Sequence, residues 1–303
     1  MTTAQHNAKR QGILWILTSA FAYSVFTVFS KRILEEVKPT DVLFWRFVIA
    51  TPIIWIVVAT RAKLCVGPNP LRVAWHPRFL MGLLFGLLAW FAFVGVDKLP
   101  GDLYVIIIYT YPAMVAIGAW LLGKPTSRHL WIALAITTVG IGFTVPEIFD
   151  GSQDAAVFGF VLTILNAALY ACYILYSERI VNDTKGHHLA GDSFVAAAWG
   201  MLGSILVAVV VALSSGGIEA PHSTVAILCM IGLGVISTVV SQTAFFLGVT
   251  KLGPAPAALV AASEPVMALS WLAIFLGESL RPIQIAGAGL VIVGVVWSQR
   301  AHD

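Results

Sequence analysis

Between Gly12 and Ser298 the chain is a succession of long apolar runs joined by short polar connectors. There are ten runs of roughly 18–25 residues, each long enough to cross a hydrocarbon core as an α-helix. They fall near Gly12–Ser30, Val42–Thr60, Phe79–Val96, Leu103–Leu122, Leu130–Val145, Ala156–Ser177, Phe194–Leu213, Val225–Val249, Ala255–Gly277 and Ile283–Ser298. Barrel strands would alternate polar and apolar residues, and these runs do not. The expected fold is an all-α integral membrane protein of ten transmembrane helices. Composition agrees, with 59% hydrophobic and 11% charged residues and a mean hydropathy of +0.89. A soluble domain carries about 25% charged residues, so this chain has too little charge to cover a water-facing globule.

The first run has the flanks of a signal peptide, with Lys9 and Arg10 before it and small residues at Ser19–Ala22. Its length and its counterpart in the second half argue for a retained span. With the N-terminus inside and ten spans, the inner segments hold twelve Lys and Arg residues and the outer loops five. The outer loops also carry Glu147, Asp150 and Asp154. This bias places both termini in the cytoplasm, although the first outer loop, with Lys31, Arg32 and Lys38, runs against it. Cys65, Cys172 and Cys229 show no paired spacing, and the latter two read as packing residues within spans. No disulfide, metal or cofactor framework is implied.

The chain matches itself. "FVGVDKLP" (Phe93–Pro100) resembles "FLGVTKLG" (Phe246–Gly253), and "AFAYSVFTVFSKRI" (Ala20–Ile33) resembles "AALYACYILYSERI" (Ala167–Ile180). The offset of the first match, 153, also lays Tyr111-Pro112 on Glu264-Pro265 and Met114 on Met267. Two five-helix repeats are therefore expected, over 12–146 and 156–299. Five is odd, so the second repeat must lie inverted relative to the first. Inverted repeats are the architecture of many secondary transporters, with a substrate site between the halves and alternating access to it.

Two ionisable residues lie well inside spans, Arg46 and Glu264. Each costs roughly 2.5–3.5 kcal/mol at a helix centre on insertion scales, and such residues normally face a bundle interior or a cavity. Glu264 can bind a substrate ammonium group or carry a coupling proton. It can equally accept hydrogen bonds from backbone amides freed near the prolines. Arg46 is five residues from Asp41 and is expected to snorkel outward or pair locally as a structural charge, or to attract a substrate carboxylate near the outer gate. Glu264 and Arg46 together would suit a zwitterion, although they lie at different depths. Pro112 and Pro265 sit mid-helix in equivalent runs and are expected to act as paired hinges. The cavity wall is assigned to Tyr23, Trp90, Tyr111, Asn166, Tyr170, Ser241, Gln242, Phe245, Ser263 and Glu264, which offer aromatic faces or hydrogen bonds within spans. Gly82 and Gly86 form GxxxG, and Gly287, Gly289 and Gly294 line the last run, where small residues let helices approach closely.

"RF" (Arg46-Phe47), "SEPVMALSWLAIFLGESL" (Ser263–Leu280) and "AGAGLVIVGVV" (Ala286–Val296) resemble the EamA-type permeases of the drug/metabolite transporter superfamily. Within it, overall likeness and no single motif suggests the aromatic-amino-acid exporter branch (YddG-like). "YPAMVAIGAWLLGKP" (Tyr111–Pro125) fits the same pattern more loosely. The resemblance covers nearly the whole chain in two copies. It implies ten helices, cytoplasmic termini and export of amino acids, metabolites or drugs, and it does not name a substrate. No GxxxxGK[ST] run is present, and no HExxH pair, nucleophile with base or intramembrane aspartate dyad is readable, so an ATPase or membrane enzyme is not expected. The leading expectation is a bacterial inner-membrane exporter of amino acids, including aromatic or apolar ones, working by alternating access. The alternative is an exporter of drugs or other small metabolites, proton-coupled through Glu264. The expected partners are a small-molecule substrate and the bilayer, without nucleic acid, and the expected unit is a monomer, with a dimer left open.

Overall fold

The structure, a computed structural model, describes residues 3–98, 104, 107–124, 126–144, 157–182, 192–276 and 280–299. Pro100, Glu147, Asp150, Asp154 and Gly277 lie outside the described residues. All regular structure among the described residues is helical. The helices are α1 (Thr3–Ser24), α2 (Phe26–Ile33), α3 (Pro39–Lys63), α4 (Trp75–Lys98), α5 (Tyr111–Leu121), α6 (Arg128–Thr144), α7 (Val157–Asn182), α8 (Ser193–Ser214), α9 (Thr224–Gly234), α10 (Ser241–Leu252), α11 (Pro254–Ala261), α12 (Glu264–Leu276) and α13 (Pro282–Gln299). A π-helical turn, Val235–Val240, joins α9 to α10 without a loop.

Six continuous helical stretches among the described residues are long and apolar enough to cross a membrane: His6–Ile33, Pro39–Lys63, Phe158–Asn182, Ser193–Ser214, Thr224–Leu252 and Pro254–Phe275. Tyr111–Leu121, Arg128–Phe143 and Pro282–Ser298 are shorter apolar helices. Several ends follow from single residues. Pro39 opens α3, where its missing N–H would have had no helical partner anyway. The Asp192 carboxylate accepts from the amides of Phe194 and Val195 at 2.9 and 3.1 Å and so starts α8. Gly253, at φ +79°, closes α10 and turns directly into Pro254 of α11, a conformation that a side chain would strain.

The helix pairings come in exchanged sets. α1 packs along α10 and α4 along α7, while α3 pairs with α8 and α6 with α13. Swapping the first half for the second turns the first pairing into the second and maps each of the last two onto itself. Lipid tails are as apolar as leucine, so such contacts rest on close approach and interhelical hydrogen bonds rather than on hydrophobic burial. Gly82 shows how close. A Cβ added there would stand 1.8 Å from the Gly200 carbonyl oxygen, on α8. Ser204 of α8 donates to the Gly82 carbonyl at 2.9 Å across the same seam. The GxxxG of α4 therefore serves packing inside one bundle. Gly294 abuts Thr137 of α6, whereas Gly289 faces open space, so the small-residue stripe of α13 is only partly a contact. Cys172 is exposed on α7 and is not the packing residue expected, whereas Cys229 packs partly buried beside Met230 and Leu233.

The halves also grip each other at both ends with equivalent indoles. Trp45, near the start of α3, donates to the Glu219 carbonyl at 2.9 Å, and Trp199, near the start of α8, donates to the Pro70 carbonyl at 3.0 Å. Each reaches a connector of the opposite half. An ion pair accompanies each indole, Lys38–Glu219 at 4.0 Å and Arg61–Asp192 at 2.9 Å. Only the second is substantially shielded from water, with the Arg61 guanidinium also 4.0 Å from the Phe194 ring centre. It is the stronger of the two.

Candidate functional site

Two helical runs are interrupted where the sequence places Pro112 and Pro265, whereas Pro52 lies inside α3 without ending it. Thr110 N–H donates to Ile107 O at 3.1 Å and its hydroxyl to the same carbonyl at 2.7 Å. Ser263 repeats this on Val260, with 3.1 and 2.8 Å. These tight i→i−3 bonds end one helical segment and let α5 and α12 begin one residue later, at Tyr111 and Glu264. Pro112 and Pro265 thus occupy the first turn of a new segment, where a missing N–H is tolerated, and not the middle of an unbroken rod. The two interruptions touch: the Tyr109 hydroxyl donates to Glu264 Oε1 at 3.1 Å. The carboxylate of one half is held by a tyrosine of the other.

Glu264 faces an internal cavity with Arg46. Its walls are Ser19, Ala20 and Tyr23 of α1, Arg46 of α3, Phe85 of α4, Tyr170 and Tyr173 of α7, Ser237 and Thr238 of the π turn, Ser241, Gln242 and Phe245 of α10, Ala261 of α11 and Glu264 of α12. Its volume is about 40 Å³, room for a few waters at roughly 10–15 Å³ each. Ligand pockets span roughly 300–1,000 Å³, so in this conformation the space is too small for a bound ligand.

Six of the ten residues assigned to the wall from sequence do line it: Tyr23, Tyr170, Ser241, Gln242, Phe245 and Glu264. Four do not. Trp90 packs beside Leu43, Phe47 and Ala208. Tyr111 is buried behind the wall, its ring 4.5 Å from that of Tyr170. Asn166 lies buried with its amide 3.4 Å from the Tyr104 hydroxyl. Ser263 spends its hydroxyl on Val260. The first three pack against side chains of other helices and Ser263 sits in the turn between α11 and α12, neither of which periodicity within an all-apolar run reveals.

Arg46 departs furthest from expectation. It neither snorkels nor pairs with Asp41; it is 2% exposed and lines the cavity. Its Nε donates to Thr238 Oγ1 at 2.7 Å, and its guanidinium carbon stands 5.3–5.8 Å from the ring centres of Tyr23, Phe26, Phe47 and Phe85. This aromatic collar, and the π turn that presents Thr238, offer the charge a better site than the surface. The sequence reasoning also missed Tyr109, Tyr173 and Thr238. Tyr173 is one turn from Tyr170 on the same face, a signal present in the sequence, and its hydroxyl accepts from Gln242 at 2.9 Å. Thr238 precedes Ser241 and Gln242 by about one turn, but the wider π turn that aims it has no equally plain signature.

A model of the EamA-like transporter family matches residues 10–145 and again 157–299. The chain belongs to the EamA-like transporter family. It is a transporter and not an enzyme, a multi-pass membrane protein whose substrate is a small molecule. Among relatives, the uncharacterised transporter sll1319 of Synechocystis is 25% identical over 72% of this chain and 63% of its own length. The threonine/homoserine exporter RhtA of Escherichia coli K12 is 25% identical over 73% of this chain and 70% of its own length. One crystal structure of a protein superposes with a TM-score of 0.80 at 15% identity, covering 97% of this chain and all of that one, which shows a shared fold.

Proposed function

We propose that this EamA-family protein exports amino acids from the cytoplasm across the bacterial inner membrane, by alternating access to the cavity between its halves. The observation that carries the reading is the placing of one guanidinium, Arg46, and one carboxyl group, Glu264, on the walls of a single cavity. A free amino acid presents the complementary pair of charges. Glu264, steadied by Tyr109, takes the ammonium group, and Tyr23, Tyr170, Tyr173 and Phe245 supply aromatic surface for an apolar or aromatic side chain. The threonine/homoserine exporter among the relatives supports the substrate class.

In this reading ten spans form two inverted five-helix repeats with both termini in the cytoplasm. The exchanged helix pairings support it, as do the equivalent indole clasps at the two ends. Opening toward one side needs one clasp to release while the other holds, with the interruptions at Pro112 and Pro265 as the places where the segments bend. The monomer is complete, because one chain supplies the whole cavity wall.

The test is efflux from liposomes reconstituted with purified protein and preloaded with radiolabelled L-threonine or L-phenylalanine. Saturable efflux competed by other amino acids is expected. Flux of lipophilic cations with none of any amino acid would favour the drug-export alternative and overturn this one. A proton gradient is imposed in the same vesicles: if Glu264→Gln abolishes a pH dependence seen in the parent, Glu264 also carries the coupling proton.

A further inference from the structure

We infer that Arg46 is the carboxylate anchor of the central cavity, and that Thr238 positions it there; the inference rests on the export reading above. A guanidinium keeps its charge at every physiological pH and presents five N–H donors in a fixed fork. Arg46 uses its Nε on Thr238, while its Nη2 is enclosed with no hydrogen-bond partner among the described residues. No Asp or Glu among the described residues forms an ion pair with it. A buried charged donor left unpaired is costly, and within the collar only the Tyr23 hydroxyl carries an acceptor lone pair, which leaves Nη2 unsatisfied. An anion entering the cavity removes that cost.

Thr238 determines which edge of the fork is free. Its hydroxyl donates to the Leu233 carbonyl at 2.9 Å, five residues back, as the wider π turn allows. The hydroxyl hydrogen is thereby committed, so the oxygen can only accept, and it accepts from Arg46 Nε at 2.7 Å. The Nε edge is pinned and the Nη edge remains for a ligand. Two further groups on the same walls, Ser237 Oγ and Gln242 Oε1, are enclosed without partners. They extend the polar patch around the α-carbon of a bound amino acid. The same arrangement excludes lipophilic cations, because a permanent positive charge lines the space they would have to enter.

The consequence is discrimination against substrates that keep the ammonium but lack the carboxylate. The experiment uses the full chain in liposomes and the labelled amino acid, L-threonine or L-phenylalanine, that the parent protein carries. The amino acid itself and its primary amide then compete for efflux. The parent should bind the amide roughly 10- to 100-fold more weakly, the loss of one charge-assisted pair. Arg46→Gln should bring the ratio to within about threefold, and Thr238→Val should lower it partway although Arg46 is still present. A merely structural Arg46 would lower flux and leave the ratio alone, so an unchanged ratio in Arg46→Gln overturns the inference while the export reading stands. If Arg46→Gln does not purify as a monodisperse species, Thr238→Val decides in the same way. A parent protein that does not distinguish amino acid from amide also overturns it. A parent that carries no amino acid overturns the export reading and this inference together.

Discussion

Thr110-Tyr111-Pro112 and Ser263-Glu264-Pro265 interrupt two helices with the same set of bonds and put different chemistry at the same point. In both, a hydroxyl residue turns its amide and its side chain onto the carbonyl three residues back. In both, the fourth residue along, Met114 or Met267, bonds back to the hydroxyl residue's carbonyl, at 3.2 and 3.3 Å. The residue between is tyrosine in one half, buried behind the wall against Tyr170, and glutamate in the other, facing the cavity. In the proposed export cycle, the shared backbone bonding serves how the bundle bends, and the single unshared carboxyl group serves what it binds. Tyr109 ties the two together, since its hydroxyl bonds Glu264 while its own counterpart, Ala262, has nothing to offer in return.

The largest difference should come from that unshared residue. Glu264→Gln is expected to lower amino-acid efflux by roughly tenfold or more, the worth of a charged hydrogen bond. Tyr111→Phe, at the equivalent point, should stay within about twofold of the parent, because it removes a hydroxyl that does not face the cavity. Equal losses in the two variants would break the comparison.

Tyr109→Phe comes next. It leaves the ring contacts intact and removes only the 3.1 Å bond to Glu264. A several-fold loss of efflux is expected, about the ~1 kcal/mol net value of one hydrogen bond. Combined with Glu264→Gln it should add less than it does alone, since the two residues act through one contact.

Thr110→Ala and Ser263→Ala should have smaller effects that match each other, because each removes the same back-bond to a carbonyl already bonded by an amide. Thermal unfolding in detergent measures both. A large effect in one half only would show that the two interruptions carry unequal mechanical roles.

The smallest effect concerns the connectors that flank these segments. Glu36, after α2, accepts from the amides of His222 and Ser223 at 2.8 and 3.1 Å at the start of α9. Hydrogen bonds from Ser223, then from His222, hold its carboxyl below the ordinary carboxylate range. A lowered folded value means the contact contributes fully above that range and is lost as pH falls through the lowered value. The protection of the Ser223 amide, its exchange rate relative to the intrinsic rate at the same pH, should therefore fall on acidification in the parent and be lower and independent of pH in Glu36→Gln. Protection indifferent to both would show that this clasp does not hold that end of the bundle.

Much of the framework was legible in the residues because membrane spans announce themselves by length and composition. The hydroxyl-X-proline-X-methionine pattern at Thr110 and Ser263 was readable for the same kind of reason, as a local departure inside an apolar run. What local reading mistook was the state of the proline. A residue without an N–H inside an apolar run suggests a kinked rod, whereas the hydroxyl before it ends one segment and starts another. Glu264 stood out because a carboxylate among alanine and valine is costly wherever it points. Trp90 and Asn166 looked equally suited to a cavity, yet in a bundle apolar on every face no hydrophobic stripe tells inward from sideways.

The sequence by itself determined that this chain crosses a membrane as helices, that it does so in two related halves, and that one acid and two prolines break the apolar pattern. Each follows from residue type and spacing, which act over a turn or two of helix. Only the tertiary structure decided that Arg46 is an inward charge. Its position five residues from Asp41 made a surface role reasonable, and helix spacing alone would have allowed it. The burial comes mostly from outside its own helix: Thr238 on a π turn supplies the acceptor, and rings from four helices, those of Tyr23, Phe26, Phe47 and Phe85, close over the guanidinium. A charge in a bilayer goes where its partners are, and its partners are placed by the packing of the bundle.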